Sequence, residues 1–264
     1  MLAELSAETF SILAVGSFVA GTIDAIVGGG GLILIPLILI VAPATPEAVA
    51  MATNKLAAVF GTSSAAARML RASDIRQKID RQLVAFGVPL AFACAASGAL
   101  LVSMLSSEAL RPLVIFLLLA VGTYVAFNPG FGKPQHASAQ NRHRWLVGLF
   151  AVGIIATYDG FFGPGTGTFL IIAFTALLSK SFVESAVLAK IINIATNLGA
   201  LTVFAIGGHV IWLFGLALAA FNVAGAQVGA RLVLSKGTGF VRIALLVIVV
   251  VMSVKLGYDI YTGA

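Results

Sequence analysis

Apolar residues run along this chain in long blocks, and polar residues fall in short gaps between them. Ten blocks can be marked. Segment A covers about 7–27, B about 32–42, C about 48–70, D about 82–105 and E about 108–127. After the polar stretch NPGFGKPQHASAQNRHR, five more follow: A′ about 145–162, B′ about 168–178, C′ about 182–206, D′ about 210–232 and E′ about 239–261. A membrane-spanning helix needs about 20 apolar residues. C, D, E and their primed partners meet that length. B and B′ are too short to span alone, and each follows a glycine cluster, GGGG at 28–31 and GPGTG at 163–167.

The second five blocks repeat the first. A shift of 135 residues places Thr22 on Thr157, Asp24 on Asp159, Gly28 on Gly163, Gly30 on Gly165 and Lys55 on Lys190. Beyond the polar C–D loop a shift of 131 places Gly98 on Gly229 and Arg111 on Arg242. The repeated identities are mostly Asp, Gly, Lys and Arg, which hydrophobicity alone would not select. The expected organisation is a first transmembrane repeat at 1–127, a polar cytoplasmic linker at 128–144 and a second repeat at 145–264.

Composition narrows the class. Of 264 residues, 60% are apolar and 10% charged, and the mean hydropathy is +1.07. A soluble domain carries about 25% charged residues. An ordinary soluble enzyme, a nucleic-acid module and a disordered chain are therefore excluded. The 28 glycines scattered through apolar runs suit membrane helices. Cys94 is the sole cysteine, so there is no disulfide framework, and His136, His143 and His209 sit at no metal-ligand spacing. Glu4 and Glu8 precede the first apolar run without a basic residue, which reads as a retained span, not a cleaved leader.

Charge sets the orientation. If A and B together begin and end on one side, each repeat has odd parity and the second is inverted. One face then receives Arg68, Arg71, Arg76, Lys78, Arg81, Lys133, Arg142, Arg144, Lys180, Arg231, Lys236 and Arg242, while the other keeps Arg111 and Lys255. If only one of A and B changes side, the split becomes eight against five, with Lys255 on the richer face. The positive-inside rule favours the inverted arrangement, with both termini outside and the linker in the cytoplasm.

The chemistry sits at the glycine turns. Glycines between apolar runs break a helix, and broken backbone survives in a membrane only where protein buries it or water reaches it. A half-helix that restarts after the break aims its N–H groups and positive dipole end at the site, where an anion is favoured. A pair of such interruptions in matching positions points to a transporter site. Two surface loops without a ligand would be the plain structural alternative.

Lys55 lies about eight residues into C, and Lys190 lies at the matching point of C′. A lysine near the bilayer centre costs roughly 2.5–3.5 kcal/mol to insert, so it faces a partner or a cavity. The structural alternative is snorkelling, or pairing with the aspartate of its own repeat. Lys190, Asn193 and Asn197 share one helical face at i, i+3 and i+7. The equivalent face of C carries Lys55, Ala58 and Thr62, with Asn54 beside it. Asp24 and Asp159 precede their turns by four residues and are candidates to hold the lysines or carry protons. The small-residue pairs Gly225/Gly229 and Gly61/Ala65 read as close helix packing. Trp145, Trp212 and Tyr258 read as interface anchors.

Two enzyme readings fail. An intramembrane aspartyl protease would share the Tyr158–Asp159 pair, but Gly21-Thr22-Ile23 precedes Asp24 where that pattern needs Gly-x-Gly. No Gly-Lys-Ser/Thr follows either glycine cluster, so no phosphate loop is present. No catalytic residue, metal ligand or cofactor is assigned.

The stretches DAIVGGGGLILIP, ATNK (52–55), YDGFFGPGTG (158–167) and GARLVLSKG (229–237), in this order and spacing, resemble the TauE/SafE sulfite-exporter family, also called TSUP, and within it the YfcA-like bacterial branch. The resemblance covers nearly the whole chain. It implies a multi-pass inner-membrane carrier of small sulfur-containing anions such as sulfite, sulfonates or organosulfur acids, working in export in several members. By resemblance the family's glycine turns fall on Gly28 to Gly31 and Gly163 to Gly167, and its Asn-Lys falls on Asn54 and Lys55. The second repeat departs, since Ala189 precedes Lys190.

The expectation is thus an all-α polytopic membrane protein of two inverted repeats, each with a glycine-broken helical hairpin and three full transmembrane helices. It moves a small anion by alternating access. Its candidate substrate site is Gly28, Gly29, Gly30, Gly31, Asn54, Lys55, Gly163, Gly165, Thr166, Gly167, Lys190, Asn193 and Asn197, with Asp24 and Asp159 as ion-pair or coupling residues. The expected partners are the small anion, the lipid bilayer, protons as the coupling ion and further copies of the chain, with no nucleic acid. The competing readings are a carrier of a cation or neutral solute held by the aspartates, and a passive anion channel.

Overall fold

The computed structural model describes residues 6–71, 77, 79–104 and 144–235, and these form eight helices with no strand among the described residues. In order they are α1 (Ala7–Val27), α2 (Gly31–Val41), α3 (Glu47–Leu70), α4 (Arg81–Ser103), α5 (Arg144–Phe161), α6 (Thr166–Leu178) and α7 (Phe182–Ile206), then α8 (Trp212–Ser235). They reproduce segments A to D and A′ to D′ to within about three residues. The expected segments E and E′ and the stretch 128–143 lie outside the described residues, as do Arg76, Lys78, Arg111, Lys236, Arg242, Lys255 and Tyr258.

Five of these helices, α1, α4, α5, α7 and α8, are long and apolar enough to cross a bilayer. Helix α3 has the length, at 24 residues or about 36 Å, but not the apolarity. It buries Glu47, Asn54, Lys55 and Thr62. The half-helices α2 and α6 have 11 and 13 residues. At 1.5 Å per residue they reach about 16–20 Å, roughly half to two-thirds of a bilayer's hydrocarbon core.

The solvation pattern is that of a membrane protein. Phe150 and Leu213 stand 72% and 85% exposed, with Val15, Phe86, Ile154 and Trp212 also outward, while Asp24, Asn54, Lys55, Asp159, Lys190, Asn193, Asn197 and Asn222 are buried. Water would not favour that exchange, but hydrocarbon does, because polar groups in a bilayer must be satisfied inside the bundle. The chain is an all-helical polytopic membrane protein.

Helix starts differ. Helices α1, α4 and α7 carry ordinary side-chain caps, while α3 starts after Pro46 without one. The Ser6 hydroxyl accepts from Thr9 N–H, the Asp80 carboxylate accepts from Gln82 and Leu83 N–H, and Ser181 with Glu184 closes a capping box. The starts of α2 and α6 have glycine at the cap and no side-chain cap.

Packing between the two halves is reciprocal. A methyl group added at Gly98 of α4 would lie 2.1 Å from the Thr157 carbonyl oxygen of α5, and one at Gly229 of α8 would lie 2.3 Å from the Thr22 carbonyl oxygen of α1. Gly98 matches Gly229 and Thr22 matches Thr157 under the shifts found in sequence. The fourth helix of each half thus lies backbone to backbone on the first helix of the other. Gly225 adds to the α8–α1 contact at Phe18, and Gly61 of α3 faces Asn222, so these small residues serve close packing as expected. Asn222 itself donates to the Ser17 carbonyl at 3.1 Å.

Candidate functional site

The two glycine turns meet. Helix α1 ends when Gly28, at φ +80°, caps it by donating to the Asp24 carbonyl. Helix α5 ends at Phe161, and the chain turns through Gly163 at φ +100° and Gly165 at φ +84°. These left-handed values are open to glycine and strained for other residues. Gly167 N–H donates to the Gly28 carbonyl at 3.1 Å, and the Thr168 hydroxyl donates to the Val27 carbonyl at 2.7 Å. A methyl at Gly167 would lie 2.4 Å from Gly28 Cα. Gly167 was expected to let the chain turn. It is instead the second residue of α6, and it is glycine because another backbone lies against it.

Both lysines reach across to the opposite half. The Lys55 ammonium on α3 sits 2.8 Å from Asp159 Oδ2 on α5 and donates to the Asp159 main-chain carbonyl at 2.7 Å. The Lys190 ammonium on α7 donates to the Asp24 main-chain carbonyl on α1 at 3.0 Å. The sequence reading offered pairing within each repeat as the structural alternative, and that is corrected here. The physical reason is the reach of the lysine side chain: α1 and α5 pack on the third helix of their own half, but a carbonyl near the end of each accepts from the ammonium of the opposite half. Lys55 lies directly beneath the second turn, for a methyl at Gly163 would stand 2.6 Å from its Nζ.

The two contacts differ in one respect. Lys55 has a carboxylate and Lys190, among the described residues, has none within 4.0 Å. The Asp24 carboxylate is engaged elsewhere, with Oδ2 accepting from the Thr62 hydroxyl at 2.8 Å and Oδ1 accepting from Gly30 N–H at a long 3.4 Å. Asp159 Oδ1 is 2.6 Å from the Thr166 hydroxyl. That hydroxyl also lies 2.7 Å from the Gly163 carbonyl. Position 166 is a threonine in the second half and a glycine, Gly31, in the first. Asp159 thus takes its hydroxyl partner from its own hairpin, whereas Asp24 takes one, Thr62, from α3.

The remaining candidates divide. Asn193, Asn197 and Thr196 bond mainly to one another. The Asn197 amide donates to the Asn193 carbonyl at 2.7 Å and to Asn193 Oδ1 at 3.0 Å, and the Thr196 hydroxyl reaches the same Oδ1 at 3.0 Å. Asn54 makes no hydrogen bond among the described residues, and its Nδ2 lies beside Gly31. Gly29 has room around it and touches no candidate side chain except through the turn. Tyr158 was not singled out as a site residue. Its hydroxyl donates to the Pro164 carbonyl at 2.7 Å, and its ring meets Phe162 and Phe169 edge-on, so it ties the second turn shut. The signal available was its place next to Asp159. Thr62 was visible as i+7 from Lys55, without its partner.

Among the described residues no cluster of His, Cys, Asp or Glu could hold a metal ion. A buried pair of cations flanked by helix breaks, carboxylates and amides suits recognition and release of a charged solute.

The chain is 34% identical over 256 residues to a "Probable membrane transporter protein" of Haemophilus influenzae, covering 97% of both chains. It is 36% identical over 247 residues to the "Probable membrane transporter protein YfcA" of Escherichia coli K12, covering 92% of this chain and 87% of that one. It is 34% identical over 260 residues to the "Probable membrane transporter protein ORF9" of a Sinorhizobium species, covering 97% of this chain and 95% of that one. No solved structure matches it. Residues 13–256 match the family described as Sulfite exporter TauE/SafE, and the chain is accordingly a membrane transporter belonging to the TauE/SafE family.

Proposed function

We propose that the protein is a secondary carrier that exports a small anion, such as sulfite, a sulfonate or an organosulfur acid, across a bacterial inner membrane. The observation that carries this reading is the crossed lysine arrangement, with Lys55 and Lys190 each buried and each held by the opposite half at a broken-helix turn. Two buried ammonium groups cost several kcal/mol to keep inside a bundle. A transported anion gives that cost a use.

The reciprocal contacts at Gly98/Thr157 and Gly229/Thr22 support two repeats of inverted topology that rock against each other around the fixed turns. The charge count then places the termini outside and the linker in the cytoplasm. Lys55 is already neutralised by Asp159, so an incoming anion competes with that carboxylate. A proton delivered to Asp159 removes the competitor, which couples anion movement to a proton. A cation carrier fits less well, because a cation at Asp159 would have to displace Lys55 from 2.8 Å.

The test is uptake by purified protein in liposomes, with sulfite, thiosulfate, sulfoacetate and taurine as solutes and with or without a pH gradient. The expected result is saturable uptake of at least one, stimulated by the same solute inside and altered by the gradient. Flux that neither saturates nor responds to internal solute would make the protein a channel. Absence of flux for all four in folded protein would overturn the anion assignment.

A further inference from the structure

The two broken helices are not equivalent at their starts. At α6 two donors are used and a side chain stands at the start. Thr166 N–H bonds the Gly163 carbonyl, Gly167 N–H bonds the Gly28 carbonyl, and the Thr166 hydroxyl lies on Asp159, while Gly165 and Thr168 N–H have no partner among the described residues. At α2 the first residue is a glycine and the open donor is its own. Gly30 N–H makes only the long contact to Asp24, Leu32 and Ile33 N–H turn back to Gly29 and Gly30, and Gly31 N–H has no partner among the described residues. Beside it stands Asn54, 6% exposed, whose amide is likewise without a partner among the described residues. A methyl placed on Gly31 would meet Asn54 Nδ2 at 3.2 Å and Pro164 Cα at 3.5 Å, so the amide is aimed at the start of α2 and the second turn closes the far side. The repeat partner of Asn54 is Ala189, which cannot donate.

Resting on the carrier reading above, we infer that the N-terminus of α2 and Asn54 form a headgroup subsite, holding one small oxyanion by Gly31 N–H and the Asn54 amide. Backbone N–H groups at a helix start and a neighbouring amide donor together suit a compact negatively charged group with two oxygens. The Asn54 amide has no protein partner among the described residues and is free to meet a ligand oxygen. Lys55, next on α3, is masked by Asp159, so the subsite as built favours a monoanion. The Pro164 wall restricts it to a small head, the shared chemistry of sulfite, a sulfonate and a carboxylate.

The experiment is equilibrium binding of radiolabelled thiosulfate to the purified full chain in detergent, with sulfite, methanesulfonate and acetate as competitors that rank the head groups. Four variants are compared with the wild type: Gly31→Ala, Asn54→Ala, Asn54→Asp and Gly153→Ala. Gly31 has no positive φ and only the end of a flexible side chain lies close, so Gly31→Ala folds while its methyl occupies the subsite. Gly31→Ala and Asn54→Ala are each expected to weaken binding about tenfold or more, and Asn54→Asp to abolish it. Gly153→Ala, in a roomy part of α5, binds as the wild type. Circular dichroism and melting check that all four are folded. Binding unchanged in both Gly31→Ala and Asn54→Ala, with the wild type binding, overturns the subsite and leaves the carrier reading standing. A wild type that binds neither the label nor any competitor overturns both.

Discussion

Asp24 and Asp159 occupy the same place in the repeat, yet their neutral replacements have different consequences. Asp159→Asn removes a carboxylate 2.8 Å from a fully buried ammonium. At an effective dielectric of about 20 the lost attraction is about 6 kcal/mol. After relaxation, breaking such a pair by removing one partner costs about 3–5 kcal/mol, because the remaining charge is stranded. Asp24→Asn leaves the Lys190 contact to the main-chain carbonyl untouched, and the Thr62 hydroxyl can still donate to the amide oxygen. With the Asp24 carboxylate beyond 4.0 Å from Lys190, its direct attraction falls below about 4 kcal/mol on the same scale. The expected gap between the two variants is therefore at least about 2 kcal/mol, roughly thirtyfold or more in the unfolding equilibrium. Unfolding in mixed micelles titrated with sodium dodecyl sulfate, followed by tryptophan fluorescence, measures it. The double replacement Lys55→Met with Asp159→Leu is expected to recover most of the loss, since no lone charge is then buried. Equal losses for Asp24→Asn and Asp159→Asn, or a double variant no better than Asp159→Asn alone, would refute the assignment of an ion pair to only one of the two crossed contacts.

Three further outcomes follow from the packing. Gly167→Ala sets a methyl 2.4 Å from Gly28 Cα, backbone against backbone, so the turns must separate; flux is expected to be lost and the protein to elute heterogeneously on size exclusion. Gly98→Ala and Gly229→Ala press on opposite α4–α5 and α8–α1 contacts of the same kind, and each is expected to cost about 1–3 kcal/mol in the same micelle titration. Tyr158→Phe deletes the hydroxyl that donates to Pro164, with an expected loss of about 1 kcal/mol and no loss of membrane insertion in a fractionation assay.

The helix boundaries were legible because apolar runs ending at Gly, Pro or a capping residue admit one interpretation, as at Ser181–Glu184, where the capping box is written in four letters. The two hairpin turns were legible for the same reason: GGGG and GPGTG interrupt apolar runs that would otherwise continue. What the letters did not carry was who meets whom. Lys55 has two aspartates at equivalent repeat positions, and the choice of Asp159 depends on how α3 and α5 pack. The acceptors that hold both lysines include main-chain carbonyls, which every residue possesses and no sequence pattern marks. The difference between the halves rests on single positions, Gly31 against Thr166 and Asn54 against Ala189. A repeat alignment presents these as substitutions. Only the geometry shows that Thr166 reaches Asp159 and that Asn54 stands beside Gly31. Asn193 and Asn197 show the reverse case. Their spacing on one face of α7 was correct, but much of their hydrogen-bonding capacity is directed at each other and at Thr196.

The account stands or falls on positive charge at the crossed contacts. The most direct measurement is anion flux in liposomes for the wild type and for the double variant Lys55→Gln with Lys190→Gln, normalised to protein shown to be inserted and folded. The account requires saturable flux in the wild type and its abolition in the double variant, with insertion unchanged. Equal flux in the two would contradict it, and the lysines would then serve only to tie the halves together.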